Sequence, residues 1–291
     1  MHLELAAQLT IDGLLLGGVF ALAALGLNVI FGVTRIVNLA HGEIIVLAAL
    51  CASVAFQQRG ITPIAMLPFA FVGGAVLGAI LERIVFQRLP SDPAGAETTS
   101  LLLTFGVAYF IVGFSLAVFT GDFRSTPYLT SGLQLGPISI GESRLVAFVA
   151  AIAIAGALAV LLRATPIGRA LRAASQNLEG ARACGIDIGR MRTISFALGS
   201  GVAAAAGSLF SMIYAVNPDS GSQFTLLSFS VVALGGLGSY AGTLLGAAIL
   251  GLAVSFAGFF GSAQLGQVMP YVIFIAVLLF RPNGILGKGA A

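Results

Sequence analysis

The segment RATPIGRALRAASQNLEGARACGIDIGRMR, residues 163–192, is the one long polar island in an otherwise almost continuously apolar chain, and it holds six of the fourteen basic residues. What surrounds it decides the fold class. Hydrophobic residues make up 58% of the 291 and charged residues 9%, whereas roughly a quarter of a soluble protein is charged. The mean hydropathy is +1.04, which leaves no room for a sizeable soluble domain. An all-α, polytopic membrane bundle forming one domain over residues 1–291 is expected. A formal net charge of +3 comes from too few charges for nucleic-acid binding, and their placement has another explanation below. Cys51 and Cys184 lie far apart in different settings and imply no disulfide framework. MHLELAAQ at the N-terminus lacks a basic leader region, so the first apolar run is expected to be retained as a span.

A hydrocarbon core of roughly 30 Å sets the span length. Spans are expected at about 12–33, 39–56, 61–81, 99–119, 145–162, 193–216, 224–237, 240–260 and 265–280. Nine is the count, with eight and ten as its limits. The seventh ends at a glycine cluster and is short enough to be a broken or re-entrant helix instead. Basic residues accumulate in cytoplasmic loops. With the island inside, nine spans bring Arg35, Arg83, Arg88, Arg281 and Lys288 to the same side, leaving Arg59, Arg124 and Arg144 opposite. The N-terminus is then outside and the C-terminus cytoplasmic.

Within the island, Thr165-Pro166 is a helix start, a capping hydroxyl followed by a residue whose fixed φ suits the first turn. Leu171, Ala174, Leu178 and Ala181 follow at helical spacing, Arg169, Arg172, Gln176 and Glu179 point elsewhere, and Gly185 supplies the stop. One amphipathic helix with a shallow apolar stripe results. It either fits a partner's groove or lies on anionic headgroups. On the outer side, 120–142 is the segment long enough to matter. Leu133 and Leu135, then Gly136-Pro137, then Ile138 and Ile140 suggest a small hairpin, either a partner's docking point or a lid over the bundle.

Gly74 with Gly78, and Gly238 with Gly242 and Gly246, are small-residue pairs that let helices pack closely. Two polar interruptions stand out, one in each half of the chain: Asn38, His41, Gly42 and Glu43 in NLAHGE, and Gly235, Gly236 and Gly238 in GGLGSY. They read as unwound helix ends facing a translocation path, or simply as polar caps near the cytoplasmic boundary. The chain holds no Walker A loop, no H-E-x-x-H, no cysteine pair at metal spacing and no G-x-S-x-G. It is a conduit without its own engine, with no cofactor or metal of its own expected. Asp12, Glu43 and Glu82 are the carboxylates a proton-driven secondary transporter would use, and all three fall near expected span ends. No nucleophile, base and orienting group cluster as a membrane-embedded enzyme would need.

The residues from Arg169 to Gly185, with SQN at 175–177 and EGARACG at 179–185, resemble the cytoplasmic loop of permease subunits of bacterial ABC importers. Glu179, Ala181 and Gly185 match that loop's pattern, while Gly180 departs from its usual alanine. Together with NLAHGE at 38–43, GGLGSYAGTLLGA at 235–247 and RPNGILG at 281–287, the chain closely resembles the LivH-type branched-chain amino acid permeases over nearly its whole length. That resemblance implies two homologous permease subunits forming the pathway and two cytoplasmic ATPases binding ATP and Mg. It also implies an external substrate-binding protein and a bacterial inner (plasma) membrane location. The helix with Arg169, Leu171, Arg172, Ala174, Leu178, Glu179, Ala181 and Gly185 is then the coupling helix. Related permeases carry urea or short amides.

Overall fold

The computed structural model describes residues 2–88, 93–136, 138–281 and 283–286. Pro137, Pro282, Gly287 and Lys288, each used above, lie outside them, as do the side chains of Arg88 and Leu135. The elements run in the order α1 (His2–Thr34), α2 (His41–Arg59), α3 (Pro63–Ile84) and α4 (Pro93–Phe119), then strands β1 (Gly132–Leu135) and β2 (Ile138–Gly141). There follow α5 (Glu142–Ala164), α6 (Pro166–Gln176), α7 (Leu178–Ala183), α8 (Ile188–Phe210), α9 (Gly221–Gly235), α10 (Tyr240–Phe260) and α11 (Ala263–Phe280). The chain is a polytopic helical bundle. Side-chain oxygens start several of its helices: Thr62 accepts from the Ala65 amide (3.2 Å), Asp187 from Arg190 (3.1 Å), Ser239 from Gly242 (3.0 Å) and Ser262 from Leu265 (3.2 Å).

A helix stands at each of the nine expected span positions. Among the described residues, eight are long and apolar enough to cross a membrane. The exception is α9, whose 15 residues span about 22 Å at the α-helical rise, short of the core thickness. The sixth helix also differs from expectation: α8 stops at Phe210, not at 216. Beyond it the backbone finds other partners. Val216 exchanges both its amide and carbonyl with Arg124 (2.8 Å each), and Thr126 donates to Ser211 (2.9 Å), so residues after Phe210 pair with the segment that follows α4. The island breaks where one helix was expected. Asn177 adopts extended backbone (φ −148, ψ 109) and caps α7 by accepting from Gly180 (2.8 Å), which separates α6 from α7.

Three helices form the centre. The apolar window of α1 is 83% buried and that of α8 78%, against 11% for α3 and α11 at the periphery. Antiparallel α1 and α8 meet where Gly26 faces Gly199, and α1 meets α10 where Gly13 and Gly17 face Gly251. The third central helix, α2, packs on α8 and α9, its Ile45 backbone against Gly207. At one end of the bundle the expected hairpin forms, with Leu133 opposite Ile140 and Leu135 opposite Ile138. It is tied to α1 by Gln8, which donates to the Ser139 carbonyl (2.7 Å) and accepts from its amide (2.9 Å). At the other end stand α6 and α7.

The expected glycine pairs divide by role. A Cβ on Gly74 would meet the Ser200 carbonyl and Ala204 at 2.5 Å, and one on Gly78 the Phe196 carbonyl at 2.5 Å, so both hold α3 against α8. Gly242 and Gly246 hold α10 against α9 in the same way, through Gly235 and Val231. Gly238 does not pack; it lies outside both helices in the turn between them. Neighbouring glycines therefore have opposite expected outcomes. Gly74→Leu should destabilise the detergent-solubilised chain by about 1–3 kcal/mol through overpacking, lowering its melting temperature. Gly73→Ala, where an added Cβ meets open space, should melt at or slightly above the wild-type temperature. Equal melting of the two variants would remove the close-packing role.

Candidate functional site

The NLAHGE interruption is a helix break set deep in the bundle. After α1 ends, the Asn38 side chain accepts from the Ala40 amide (3.1 Å), making a local turn from which α2 starts at His41. His41 Nε2 lies 3.0 Å from the Ala23 carbonyl, about three turns back from the end of α1. A carbonyl can only accept, so Nε2 carries the proton and Nδ1 of the neutral ring is left without a partner. The first residues of α2 meet the first residues of α9. Gly42 donates to Thr225 Oγ1 (2.8 Å), and Thr225 donates on to the Leu39 carbonyl (3.2 Å). Gly42 and Gly221 leave no space for a Cβ: the former faces the Gly221 carbonyl, the latter the Glu43 carboxylate. Asp219, exposed on the turn before α9, is close enough for its charge to act on Glu43.

The GGLGSY interruption sits at the opposite end of α9. Asn28, in the last third of α1 and 6% exposed, clamps it with all of its amide. Its Oδ1 accepts from Gly238 (2.7 Å), and its Nδ2 donates to the Ser239 carbonyl (3.1 Å) and to Thr243 Oγ1 (2.7 Å). Gly238 takes φ +80 to make this turn, a conformation glycine adopts without steric penalty. The last carbonyls of α9 are also met: Leu234 accepts from Ile285 (2.8 Å) and Gly235 from Leu286 (3.1 Å). The C-terminal segment thus seals the second break.

The two interruptions do not converge on one point; α9 separates them. Asn38, His41, Gly42 and Glu43 are all buried in this chain, as are Gly235 and Gly236, while Gly238 is exposed. NLAHGE is buried within the chain, His41 reaching Ala23 in the interior. Asn28 and Thr225 were not singled out from sequence, although each is a polar residue inside an apolar run. The intramembrane carboxylates are also placed. Asp12 pairs with Arg144 (3.2 Å), and fully buried Glu82 pairs with Arg192 (3.0 Å), tying the end of α3 to the island.

At the island, Thr165 accepts from Gly168 (3.0 Å) with Pro166 opening α6. Gly185, at φ +78, closes α7 with the Ile186 amide bonded back to Ala181 (3.1 Å) and its own amide to Arg182 (3.0 Å), the double bond of a glycine-terminated helix. The apolar stripe is not free for a partner, which corrects the expectation. Leu171, Ala174 and Ala181 are at most 5% exposed and pack on Val33, Ile188 and Met191 of the same chain. Only Leu178, 39% exposed, remains outside. With it the surface presents Arg169, Arg172, Glu179, Arg182 and Gly185. Burial of Leu171, Ala174 and Ala181 anchors the island to α1 and α8, and what it offers outward is mostly polar, with Ile167 and Leu178 the exposed apolar exceptions.

These features have counterparts in known proteins. A family model for the permease component of branched-chain amino acid transport systems matches residues 9–278. BraD of Pseudomonas aeruginosa, a high-affinity branched-chain amino acid transport system permease protein, is 27% identical over 97% of this chain and 95% of its own. LivH of Escherichia coli K12, of the same description, is 28% identical over the same shares. A probable LivH of Methanocaldococcus jannaschii is 29% identical over 98% of this chain and 94% of its own. Since the match runs from α1 to α11 and takes in both helix breaks and the island, the chain belongs to the family of permease components of branched-chain amino acid ABC transport systems.

Proposed function

We propose that this chain is the membrane-spanning subunit of a binding-protein-dependent ABC importer that moves leucine, isoleucine and valine inward on ATP hydrolysed elsewhere. The observation that carries the reading is the permease-family match over residues 9–278 joined to an island that exposes a largely polar face while its inward face is built into the bundle. ATP and Mg are held by two cytoplasmic ATPase subunits, and this chain supplies no cofactor site and no catalysis. A homologous second permease completes the pathway, and a periplasmic or extracellular binding protein delivers the substrate.

In this reading α6 and α7 are the coupling element. Arg169, Leu178, Glu179 and Gly185 face the ATPase. Leu171, Ala174 and Ala181 act in the other direction, gripping Val33 on α1 and Ile188 and Met191 on α8, so that displacement of the island is passed to the two most buried helices. The island end is cytoplasmic in a bacterial inner membrane, with the N-terminus outside and the C-terminus inside, because the basic residues concentrate there. The substrate path runs past the two breaks, Asn38, His41, Gly42 and Glu43 at one end of α9 and Gly235, Gly236 and Gly238 at the other. Small shifts of α9 against α2 and α10, which glycine contacts bring close to it at either end, would open it.

Affinity purification of the tagged chain from its native membrane in mild detergent is the first test. A Walker-type ATPase and a second permease should co-purify, and Glu179→Lys, on an exposed face, should lose the ATPase while the chain stays in the membrane. Wild-type co-purification and uptake in that variant would end the coupling role of this face. A lone chain that still moves solute in liposomes on a proton gradient would replace the importer with a secondary transporter. Exchanging the strands Gly132–Leu135 and Ile138–Gly141 for a flexible linker should leave ATPase association intact and abolish stimulation of ATP hydrolysis by the binding protein. Undiminished stimulation would make the hairpin a lid.

A further inference from the structure

The island end holds a cavity whose two arginines have no role in this reading. It measures about 260 Å³ and lies between α1, α5, α6 and the turn into α10. Leu25, Asn28 and Val29 of α1 line it with Leu162 of α5, an apolar wall save for the Asn28 amide, which is already bonded to the turn before α10; Arg163 at the end of α5, Arg172 on α6 and Tyr240 at the start of α10 line it too. No carboxylate lines it. Both arginines are exposed, and among the described residues neither guanidinium has a hydrogen bond or an ion pair. At the rim Arg35 donates to the Ser175 carbonyl (3.0 Å), which fastens α6 to the end of α1 and adds a third positive charge.

Two unpaired guanidinium groups facing one space favour a multiply hydrogen-bonding anion, and the planar fork of arginine matches phosphate oxygens. The apolar wall favours a ligand that is hydrocarbon on its other side. Arg163 is the next-to-last residue of α5, so the cavity lies where spans end and headgroups begin. A free phosphate would satisfy the arginines and leave Leu25, Val29 and Leu162 wet; a neutral lipid would leave the positive charges uncompensated. We propose that the cavity binds an anionic phospholipid, its headgroup phosphate between Arg163 and Arg172 and the start of its acyl chains against the Leu25, Val29 and Leu162 wall. A lipid so bound joins α5, α6 and the first turn of α10 and stiffens the island against the bundle.

The inference does not depend on the transported substrate, and its test reads lipid binding directly. The full-length chain, purified with whatever co-purifies, is stripped of lipid, re-exposed to phosphatidylglycerol or phosphatidylcholine, and weighed by native mass spectrometry. The wild type should retain phosphatidylglycerol in preference to phosphatidylcholine. R163Q/R172Q should retain about thirtyfold less phosphatidylglycerol, given roughly tenfold per 1.4 kcal/mol and about 1 kcal/mol per arginine at an anionic surface. R190Q, an exposed island arginine that does not line the cavity, should match the wild type. If the double variant melts lower than the wild type, the single variants R163Q and R172Q carry the same comparison. Undiminished retention in the arginine variants overturns the proposal. So does displacement of the lipid by inorganic phosphate, which would make the site one for a free anion.

Discussion

Inside a hydrocarbon core every backbone amide and carbonyl must find a partner within the protein, and the architecture of this chain depends on how it meets that demand where helices stop. Three interruptions occur. The one before α2 is met by Asn38 locally and by Thr225 across the bundle. The one after α8 is met by backbone pairing with Arg124 and Thr126. The one after α9 is met by Asn28 and by the amides of Ile285 and Leu286. Each solution recruits a residue distant in sequence, so the breaks hold the bundle together as well as interrupting its helices.

Glycine contacts make those solutions reachable. Where Gly42 meets Gly221, the backbones come close enough for a side chain as short as Thr225 to bridge α2 and α9, and Thr243 of α10 is likewise short enough to bond Asn28 of α1. Without a hydrophobic driving force between helices in lipid, close packing and such bonds supply the cohesion. The arrangement leaves α9 bounded at both ends by hydrogen-bonded breaks and along its length by glycine contacts.

The island shows how one sequence pattern serves two surfaces. Its apolar stripe is consumed inside the chain, against Val33, Ile188 and Met191, and the buried Glu82 to Arg192 pair ties the start of α8 to α3. What remains outward is charge. Amphipathic spacing establishes that a face will be covered; it carries no information on whether the cover is a partner, a membrane or the chain's own helices. The Asn177 break was similarly obscured, because the spacing of Leu171, Ala174, Leu178 and Ala181 continues through it while the local capping preference of Asn ends one helix and begins another.

Composition and hydropathy by themselves determined the class of this protein, the position of each long helix, the caps at Thr165 and Gly185 and the outer hairpin, because these follow from local propensity and from the length a membrane imposes. Four motifs in order were enough to indicate the family. Only the tertiary structure decided that NLAHGE lies within the bundle, that it meets α9 through Thr225, that Asn28 holds the far end of that helix, and that most of the island's apolar stripe is covered by the chain itself. The Thr225 and Asn28 contacts join residues 183 and 210 positions apart in the chain. A pattern of neighbours along the chain specifies which face of a helix is apolar, whereas the partner of a buried polar group is set by which backbones glycine allows to meet.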